Sequence, residues 1–320
     1  MLPLPDARRG PVVASDHVEQ GAAQDGEETL EQGTLLATYY RVLEHIGPAN
    51  FGEMYRGEHL QMGSRVAVRV LSPQWKNLVR GEDDVERFRR MAKAACATSH
   101  PNIAQVFEAG RLPDGRLFLI TEFLIGRSLF EEISERHYLP LLRACRVLRD
   151  DARAVRAAHN AGQIHRDLKA ENVMLIPLPD GDGEAVQVLD FGIAAWAEAE
   201  ARRQNPGAFV ATPEYMAPEQ AQGKPSTPLF DLYAMGVMLF EALVGEPPFT
   251  GNPQALLRAK ISRPAPSLGQ KLPGMHRRLV ELVDDCLKID PTLRPQSANE
   301  FVVRIEEVLR TLSRHSGPQP

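Results

Sequence analysis

Polar side chains are concentrated in residues 165–172, which read H-R-D-L-K-A-E-N. This stretch combines a carboxylate at Asp167, an ammonium at Lys169 and an amide at Asn172. A second carboxylate, Asp190, opens the triplet D-F-G eighteen residues after Asn172. These are side-chain types that acid–base and charge-stabilising catalysis uses. The alternative is an inert polar loop.

The two motifs together resemble the catalytic loop and the metal-binding triplet of the protein kinases. The resemblance implies that Asp167 orients the substrate hydroxyl and accepts its proton, and that Lys169 steadies the γ-phosphate of ATP. It also implies that Asn172 and Asp190 hold two Mg²⁺ ions. Lys169, with Thr212 nearby, points to Ser or Thr rather than Tyr as the phosphate acceptor.

A glycine-containing turn precedes these motifs, in residues 46–55, which read I-G-P-A-N-F-G-E-M-Y. Kinases carry G-x-G-x-x-G here, so that bare backbone can fold over the ATP phosphates. Ala49 replaces the middle glycine, Met54 replaces the usual Val, and Pro48 removes one N–H donor. We expect the turn to form, with altered binding of phosphate. A plain hairpin turn without a role in binding is the alternative. The resemblance implies these ATP-binding residues: Ile46, Gly47, Gly52 and Met54.

The predicted strand 65–71 contains V-A-V-R where the family has V-A-I-K, whose Lys holds the α- and β-phosphates. Arg69 occupies the Lys position, and Ala67 belongs to the same nucleotide-binding strand. An exposed strand arginine is the alternative. The guanidinium keeps the positive charge but is planar and bulkier than an ammonium.

Helical spacing from 83 to 97 predicts the family's regulatory helix. The glutamate that pairs with the strand Lys is expected nine residues before His100, where this chain has Met91. Glu86 lies five residues earlier, which places it on a different helix face. Both partners of the expected ion pair are therefore altered.

Two more strands are predicted over 103–108 and 116–122. By resemblance, Thr121 is the gatekeeper, and the hinge 122–124 binds adenine through its backbone. The adenine-side residues are therefore Thr121, Glu122 and Leu124.

The resemblance covers about residues 37–312, because several features beyond the two motifs also match the family. Apolar spacing predicts a core-facing helix from Leu141 to His159, in which His159 is expected to be packed rather than catalytic. The segment 193–211 matches the activation segment but contains no Ser, Thr or Tyr. By resemblance, Asp231 on the predicted helix 229–244 binds the backbone of the catalytic loop, and Arg294 pairs with Glu219.

Composition indicates a globular protein with an acidic N-terminus. The chain has 320 residues, is 43% hydrophobic and carries a net charge of −5. Residues 1–33 hold seven acids and two bases, so the remainder is near neutral and gives no reason to propose nucleic acid as a partner. The predicted organisation is a disordered acidic tail (1–36), a catalytic domain (37–312, divided at 124/125 into two lobes) and a flexible tail (313–320).

Cysteine usage and hydropathy predict a cytoplasmic protein without a membrane segment. Cys96, Cys145 and Cys286 are far apart and have no zinc or redox spacing, so reduced thiols are expected. No signal peptide is recognisable, and no uncharged apolar stretch reaches the ~18 residues that a bilayer-spanning helix needs.

These observations lead to one prediction of fold and two of function. The fold is expected to be α+β and kinase-like, with a small antiparallel sheet and one regulatory helix in the first lobe and a larger, mainly helical second lobe. The function is expected to be ATP- and Mg²⁺-dependent phosphorylation of Ser or Thr in a protein substrate, with weak or atypical activity. The alternative is a pseudokinase that binds a signalling partner without phosphate transfer.

Overall fold

The computed structural model describes residues 29–49, 51–76, 81–181, 183–204 and 211–315. The predicted acidic tail up to residue 28, Asn50 of the glycine-containing turn and residues 316–320 lie outside this part of the chain. The described residues form two compact units. The first unit contains residues up to 90, 107–123 and 197–204, and the second contains 91–106, 124–196 and 211–315.

The strands within the described residues are β1 (Leu35–Leu36), β2 (Tyr40–Ala49), β3 (Gly52–His59), β4 (Arg65–Leu71), β5 (Val106–Arg111), β6 (Leu117–Glu122), β7 (Arg127–Ser128), β8 (Val173–Pro177) and β9 (Glu184–Val188). The first six form one sheet in the order β1-β2-β3-β4-β6-β5, and the last three form a second sheet in the order β7-β8-β9. Strand β4 pairs antiparallel with both β3 and β6.

The α-helices in the same part of the chain are α1 (Pro73–Lys76), α2 (Glu82–Ala97), α3 (Leu129–Arg136), α4 (Leu141–Asn160), α5 (Ile193–Gln204), α6 (Pro218–Ala221), α7 (Leu229–Val244), α8 (Pro253–Ser262), α9 (Leu268–Lys271), α10 (Arg277–Cys286) and α11 (Ala298–His315). Short 3₁₀ turns occur at Ala170–Asn172 and Pro291–Leu293.

Alternating side chains on β4 build the core of the first unit. Val66, Val68 and Val70 are almost completely buried and pack with Tyr55 of β3. β-Branched valine suits a strand because its restricted χ1 packs well on a pleated surface. The intervening residues, including Arg69, therefore point to the opposite face of the sheet.

Helix α7 lies in the middle of the second unit. It is apolar around most of its circumference, as expected of a helix buried on all sides, and it packs against α4 and α10. Helix α4 buries the stripe that contains Ala144, Leu148, Ala152 and Val155. Among the residues described, every helix is too short or too polar to span a bilayer.

The predicted α+β kinase-like fold is confirmed, with an antiparallel sheet followed by a mainly helical part. Strand β4 and helix α7 have the predicted bounds. The strand expected at 103–108 begins three residues later, because Ile103 instead forms an isolated parallel bridge with Val188.

Secondary structure is also present just outside residues 37–312. Strand β1 pairs with β2 before residue 37 and buries Leu36. Helix α11 continues past residue 312 to His315. Within the expected activation segment, residues 193–204 form helix α5.

Candidate active site

Helix α4 ends shortly before the polar loop 165–172. It ends at Asn160, and Gly162 follows with φ +75°, a left-handed conformation that glycine adopts without steric cost. The loop then closes in the 3₁₀ turn before β8, where the Leu189 N–H donates to the Asn172 carbonyl oxygen at 2.8 Å.

Asp231 of α7 holds the start of this loop, as predicted. Its two carboxylate oxygens accept the backbone N–H groups of His165 and Arg166, each at 2.9 Å. The His159 Nε2 lies 2.8 Å from Asp231 Oδ2, so His159 has a structural contact. Burial alone would raise the pKa of Asp231, but the hydrogen bond with His159 and the surrounding donors hold this pKa below its usual value. Arg166 is held at φ +70°.

Asp167, Lys169 and Thr212 form a compact polar cluster. Asp167 Oδ1 accepts hydrogen bonds from the backbone N–H of Thr212 at 2.8 Å and from its hydroxyl at 2.9 Å. The Lys169 ammonium donates to the Thr212 Oγ1 at 2.8 Å and lies 3.4 Å from Asp167 Oδ2. The carboxylate is thus oriented through one oxygen, while the other faces a fixed positive charge.

Asn172 and Asp190 are the residues predicted to hold Mg²⁺. The Asn172 Nδ2 donates to the Asp167 carbonyl oxygen at 2.9 Å, so its side-chain oxygen is the atom that suits a cation. Asp190 has φ +66°, and the flanking backbone is held by His165, whose Nε2 lies 2.8 Å from the Leu189 carbonyl oxygen. Within the described residues, no group of three or more His, Cys, Asp or Glu side chains could hold a metal.

This donor set fits Mg²⁺. Mg²⁺ prefers hard oxygen ligands and is usually bound through one or two carboxylates plus substrate phosphates, rather than by an all-protein cage. An amide oxygen and a carboxylate meet that requirement without a third acidic residue.

Several residues predicted to bind the nucleotide share one face of the first sheet. Cross-strand register pairs Met54 with Arg69 and Ala67 with Thr121. Because directly opposed residues point to the same side, these four side chains lie together. Arg69 is 6% exposed, so its guanidinium lies among other groups rather than in solvent.

The remaining residues predicted to bind the nucleotide lie near the ends of strands β2, β3 and β6 or just after β6. Gly52 leaves no room for a side chain, because an added Cβ would lie 1.9 Å from the Val70 carbonyl oxygen. Gly47 has φ +140°, and Ile46 is exposed. Glu122 ends β6 and is half-buried, and Leu124, also half-buried, belongs to the second unit.

Met91 packs against the D-F-G triplet. A methyl group added to Gly192 would lie 2.9 Å from the Met91 Cγ. The side chain of Glu86 is 57% exposed and lies 3.8 Å from Arg89. The helix position expected to carry a carboxylate is therefore occupied by a thioether, and Glu86 is on the solvent side.

Helix α5 was not predicted, although its composition carried a signal. The stretch is rich in alanine, and Glu200 and Arg203 have the i, i+3 spacing that supports a helix. Its second half meets the start of α2, where Arg87 lies 3.2 Å from Glu200 and Arg203 lies 3.1 Å from Asp84. The Glu200 side chain is 1% exposed, whereas those of Arg87 and Arg203 are 30% and 45% exposed, so the carboxylate end of this cluster is shielded and the guanidinium groups reach solvent.

The segment 211–219 is held at several points. As predicted, Arg294 binds Glu219 through two hydrogen bonds, at 2.7 and 2.6 Å, and the pair is buried. The Tyr215 hydroxyl donates to Glu241 Oε2 at 2.6 Å. This second contact was missed, because Glu241 lies in a predominantly apolar helical pattern and its partner is 26 residues away in the sequence.

The raised pKa of Glu241 predicts that the stability of the fold depends on pH. Burial raises its pKa to about 7, against the lowering effect of the Tyr215 hydrogen bond. The folded state therefore binds more protons than the unfolded state between the ordinary glutamate pKa and about pH 7, so this group's contribution to stability falls as pH rises through that interval. Glu241→Gln should remove roughly 2–3 kcal/mol of this pH dependence.

Urea unfolding of wild type and Glu241→Gln at pH 5 and pH 7.5 measures this effect. The exposed Glu246→Gln on the adjoining loop is the matched control and should follow the wild-type pH profile. Equal pH dependence in wild type and Glu241→Gln would show that Glu241 titrates normally.

Comparisons with known proteins bear on the whole arrangement. A family model for the protein kinase domain matches residues 40–306. Serine/threonine-protein kinase pkn3 of Myxococcus xanthus is 34% identical over 286 residues, which cover 86% of this chain and 51% of that protein. Serine/threonine-protein kinase pkn2 of the same organism is 36% identical over 272 residues, with 83% and 32% covered.

A mycobacterial protein is similar over nearly the same region. Serine/threonine-protein kinase PknA of Mycobacterium tuberculosis is 32% identical over 281 residues, which cover 86% of this chain and 62% of that protein. The chain therefore spans between about a third and two thirds of the length of these three relatives.

Proposed function

The chain belongs to the protein kinase family, and on this premise we propose that it binds ATP with Mg²⁺ and transfers the γ-phosphate to Ser or Thr of a protein substrate, with weak or atypical activity. The observation that carries the proposal is the cluster of Asp167, Lys169 and Thr212. The proposed catalytic domain spans residues 37–312.

The cluster can perform the protein's part of phosphate transfer. This reaction depends on positioning and charge stabilisation more than on covalent chemistry by the protein. With Oδ1 held by Thr212, Asp167 can orient the acceptor hydroxyl and take its proton through Oδ2. Lys169 is held by Thr212 beside that carboxylate and can stabilise negative charge on the phosphate.

The side-chain oxygens of Asn172 and Asp190 would hold Mg²⁺. The bound ion neutralises charge on the phosphate oxygens. The Asn172 amide is oriented for this by its hydrogen bond to the Asp167 carbonyl oxygen, and the D-F-G backbone is oriented by His165.

Three residues on the nucleotide side support the weak activity. Arg69 places a planar guanidinium where the family has an ammonium. Met91 replaces the expected carboxylate and packs on Gly192. Ala49 replaces a glycine of the phosphate-binding turn. Loss of one preorganised charge-stabilising group typically costs about 10²–10³ in rate in other enzymes.

Free thiols support a cytoplasmic location. Cys145 and Cys286 are both free and buried, and burial raises the pKa of each thiol to about 12. Unpaired cysteines are typical of reducing compartments. The proposed partners are ATP and a protein substrate or signalling partner.

Transfer of label from [γ-³²P]ATP to dephosphorylated casein tests the function. We expect phosphoserine or phosphothreonine to form in the presence of MgCl₂ and to disappear when EDTA is added. MgATP at about 100 times its Kd should stabilise the fold by about 2.7 kcal/mol, which corresponds to a rise in Tm of about 5–10 °C for a domain of this size.

The two measurements separate the possible failures. A rise in Tm without label transfer would show a nucleotide-binding protein that does not phosphorylate casein. The absence of both effects at millimolar MgATP would contradict ATP binding itself.

A further inference from the structure

Lys260 is a fully buried lysine outside the cluster described above. It lies on the inner face of α8, one turn after the buried Leu256, and it is 0% exposed. Its Nζ donates to the carbonyl oxygens of Glu214 at 2.5 Å and Met216 at 2.9 Å. The same nitrogen lies 5.1 Å from the centre of the Tyr233 ring.

Packing alone does not account for a lysine at this position. Transfer of an ammonium from water into a protein interior is costly unless hydrogen bonds and charges compensate. Burial lowers the pKa of Lys260 to about 7, and the nearby Glu214 carboxylate only partly offsets this effect. An apolar side chain of the same length would fill the space without that cost, so the hydrogen bonds are the distinguishing property of lysine here.

The acceptors of these hydrogen bonds lie next to the catalytic cluster. Glu214 and Met216 follow two and four residues after Thr212, whose N–H and hydroxyl bind Asp167. Tyr215, between the two acceptors, is buried and bonded to Glu241. Lys260 therefore fixes the backbone of residues 214–216 immediately beyond the contact that orients the Asp167 carboxylate.

A protein substrate must place a hydroxyl at Asp167 and lay its neighbouring residues along the adjoining surface. ATP makes no such demand on residues 214–216, because its proposed ligands lie elsewhere. We propose that Lys260 is a positioning residue for protein-substrate binding, which acts through the carbonyl groups of Glu214 and Met216. This inference rests on the proposed phosphotransfer function.

Lys260→Met is the decisive variant. Methionine keeps an unbranched apolar stem of four atoms and lacks the terminal ammonium that donates the hydrogen bonds. The change relieves the desolvation cost of the ammonium and leaves two carbonyl acceptors without their donor; because these effects oppose each other, the variant is expected to fold. Arg258→Met, on the exposed side of the same helix, is the matched control because it also removes one cation from α8.

The experiment measures the KM for dephosphorylated casein, the KM for ATP and kcat in the three proteins. Lys260→Met should raise the casein KM at least about fivefold and leave the ATP KM and kcat within about twofold, whereas Arg258→Met should match wild type. A fall in kcat with an unchanged casein KM would overturn the proposal, and so would an equal rise in both KM values.

Amide hydrogen exchange on the same proteins gives a second measurement. Residues 212–216 should exchange at least about tenfold faster in Lys260→Met than in wild type and Arg258→Met. Unchanged exchange there would overturn the proposal even if casein labelling changed. If wild type labels no casein, the proposed transfer to casein fails and the casein-binding role of Lys260 fails with it, while the exchange data still decide whether Lys260 holds the segment.

Discussion

Asp167→Asn should lower kcat for casein phosphorylation by about 10²–10⁴-fold, the usual contribution of a positioned general base. Asparagine keeps an oxygen that can accept the N–H and hydroxyl of Thr212, so the loop geometry should persist. It cannot accept the substrate proton, and it removes the negative charge beside Lys169. The Tm should therefore remain within a few degrees of wild type while transfer is lost.

Asp180→Asn provides the matched control for this variant. Asp180 lies on the exposed hairpin between β8 and β9, so the same chemical change there should leave transfer unaffected. Label that persists at the wild-type rate in Asp167→Asn would show that another base acts or that a contaminating kinase is present.

Arg69→Lys combined with Met91→Glu should increase phosphate transfer by about 10–100-fold, within the range that one preorganised group contributes elsewhere. Lysine supplies a compact ammonium in place of a planar guanidinium. Glutamate at position 91 supplies the carboxylate that the family pairs with this ammonium. The gain should appear mainly as a lower KM for ATP and a higher kcat.

A double-mutant cycle distinguishes a restored ion pair from two independent effects. The two single variants and the double variant should show a coupling of at least 1 kcal/mol, because charges that act on each other are not additive. Arg65→Lys with Lys93→Glu is the control. Arg65 shares strand β4 with Arg69, Lys93 shares helix α2 with Met91, and both control positions are exposed. Additive effects, or no gain, would show that this pair does not limit activity.

Local patterns predicted most of the elements that support the candidate site. The valines of β4 and the apolar run of α7 specified those elements to the residue, because period and side-chain type are read over a few neighbours. The polar stretch 165–172 and the D-F-G triplet were recognisable for the same reason. The resemblance also predicted that Asp231 binds the loop backbone and that Arg294 binds Glu219.

The pairings that give buried charged groups their roles required the folded chain. Lys260 contacts carbonyl oxygens 44 and 46 residues away, and Tyr215 contacts Glu241 across 26 residues. No local period reports such distances, so both groups looked like ordinary positions on a helix or loop. The altered pKa values of Glu241 and Lys260 arise from burial, which depends on how α7 and α8 pack rather than on neighbouring residues in the sequence.

Residue identities along the chain were sufficient to establish the kinase-like fold, the carboxylate and amide groups of the loop, and the departures at Ala49, Arg69 and Met91. Tertiary packing established that Asp167 is oriented by Thr212, that residues 193–204 form a helix paired with α2, and that Lys260 donates hydrogen bonds to the backbone of Glu214 and Met216. The physical reason is that hydrogen-bond partners and desolvation are properties of three-dimensional neighbours, whereas secondary structure follows from residues adjacent in sequence.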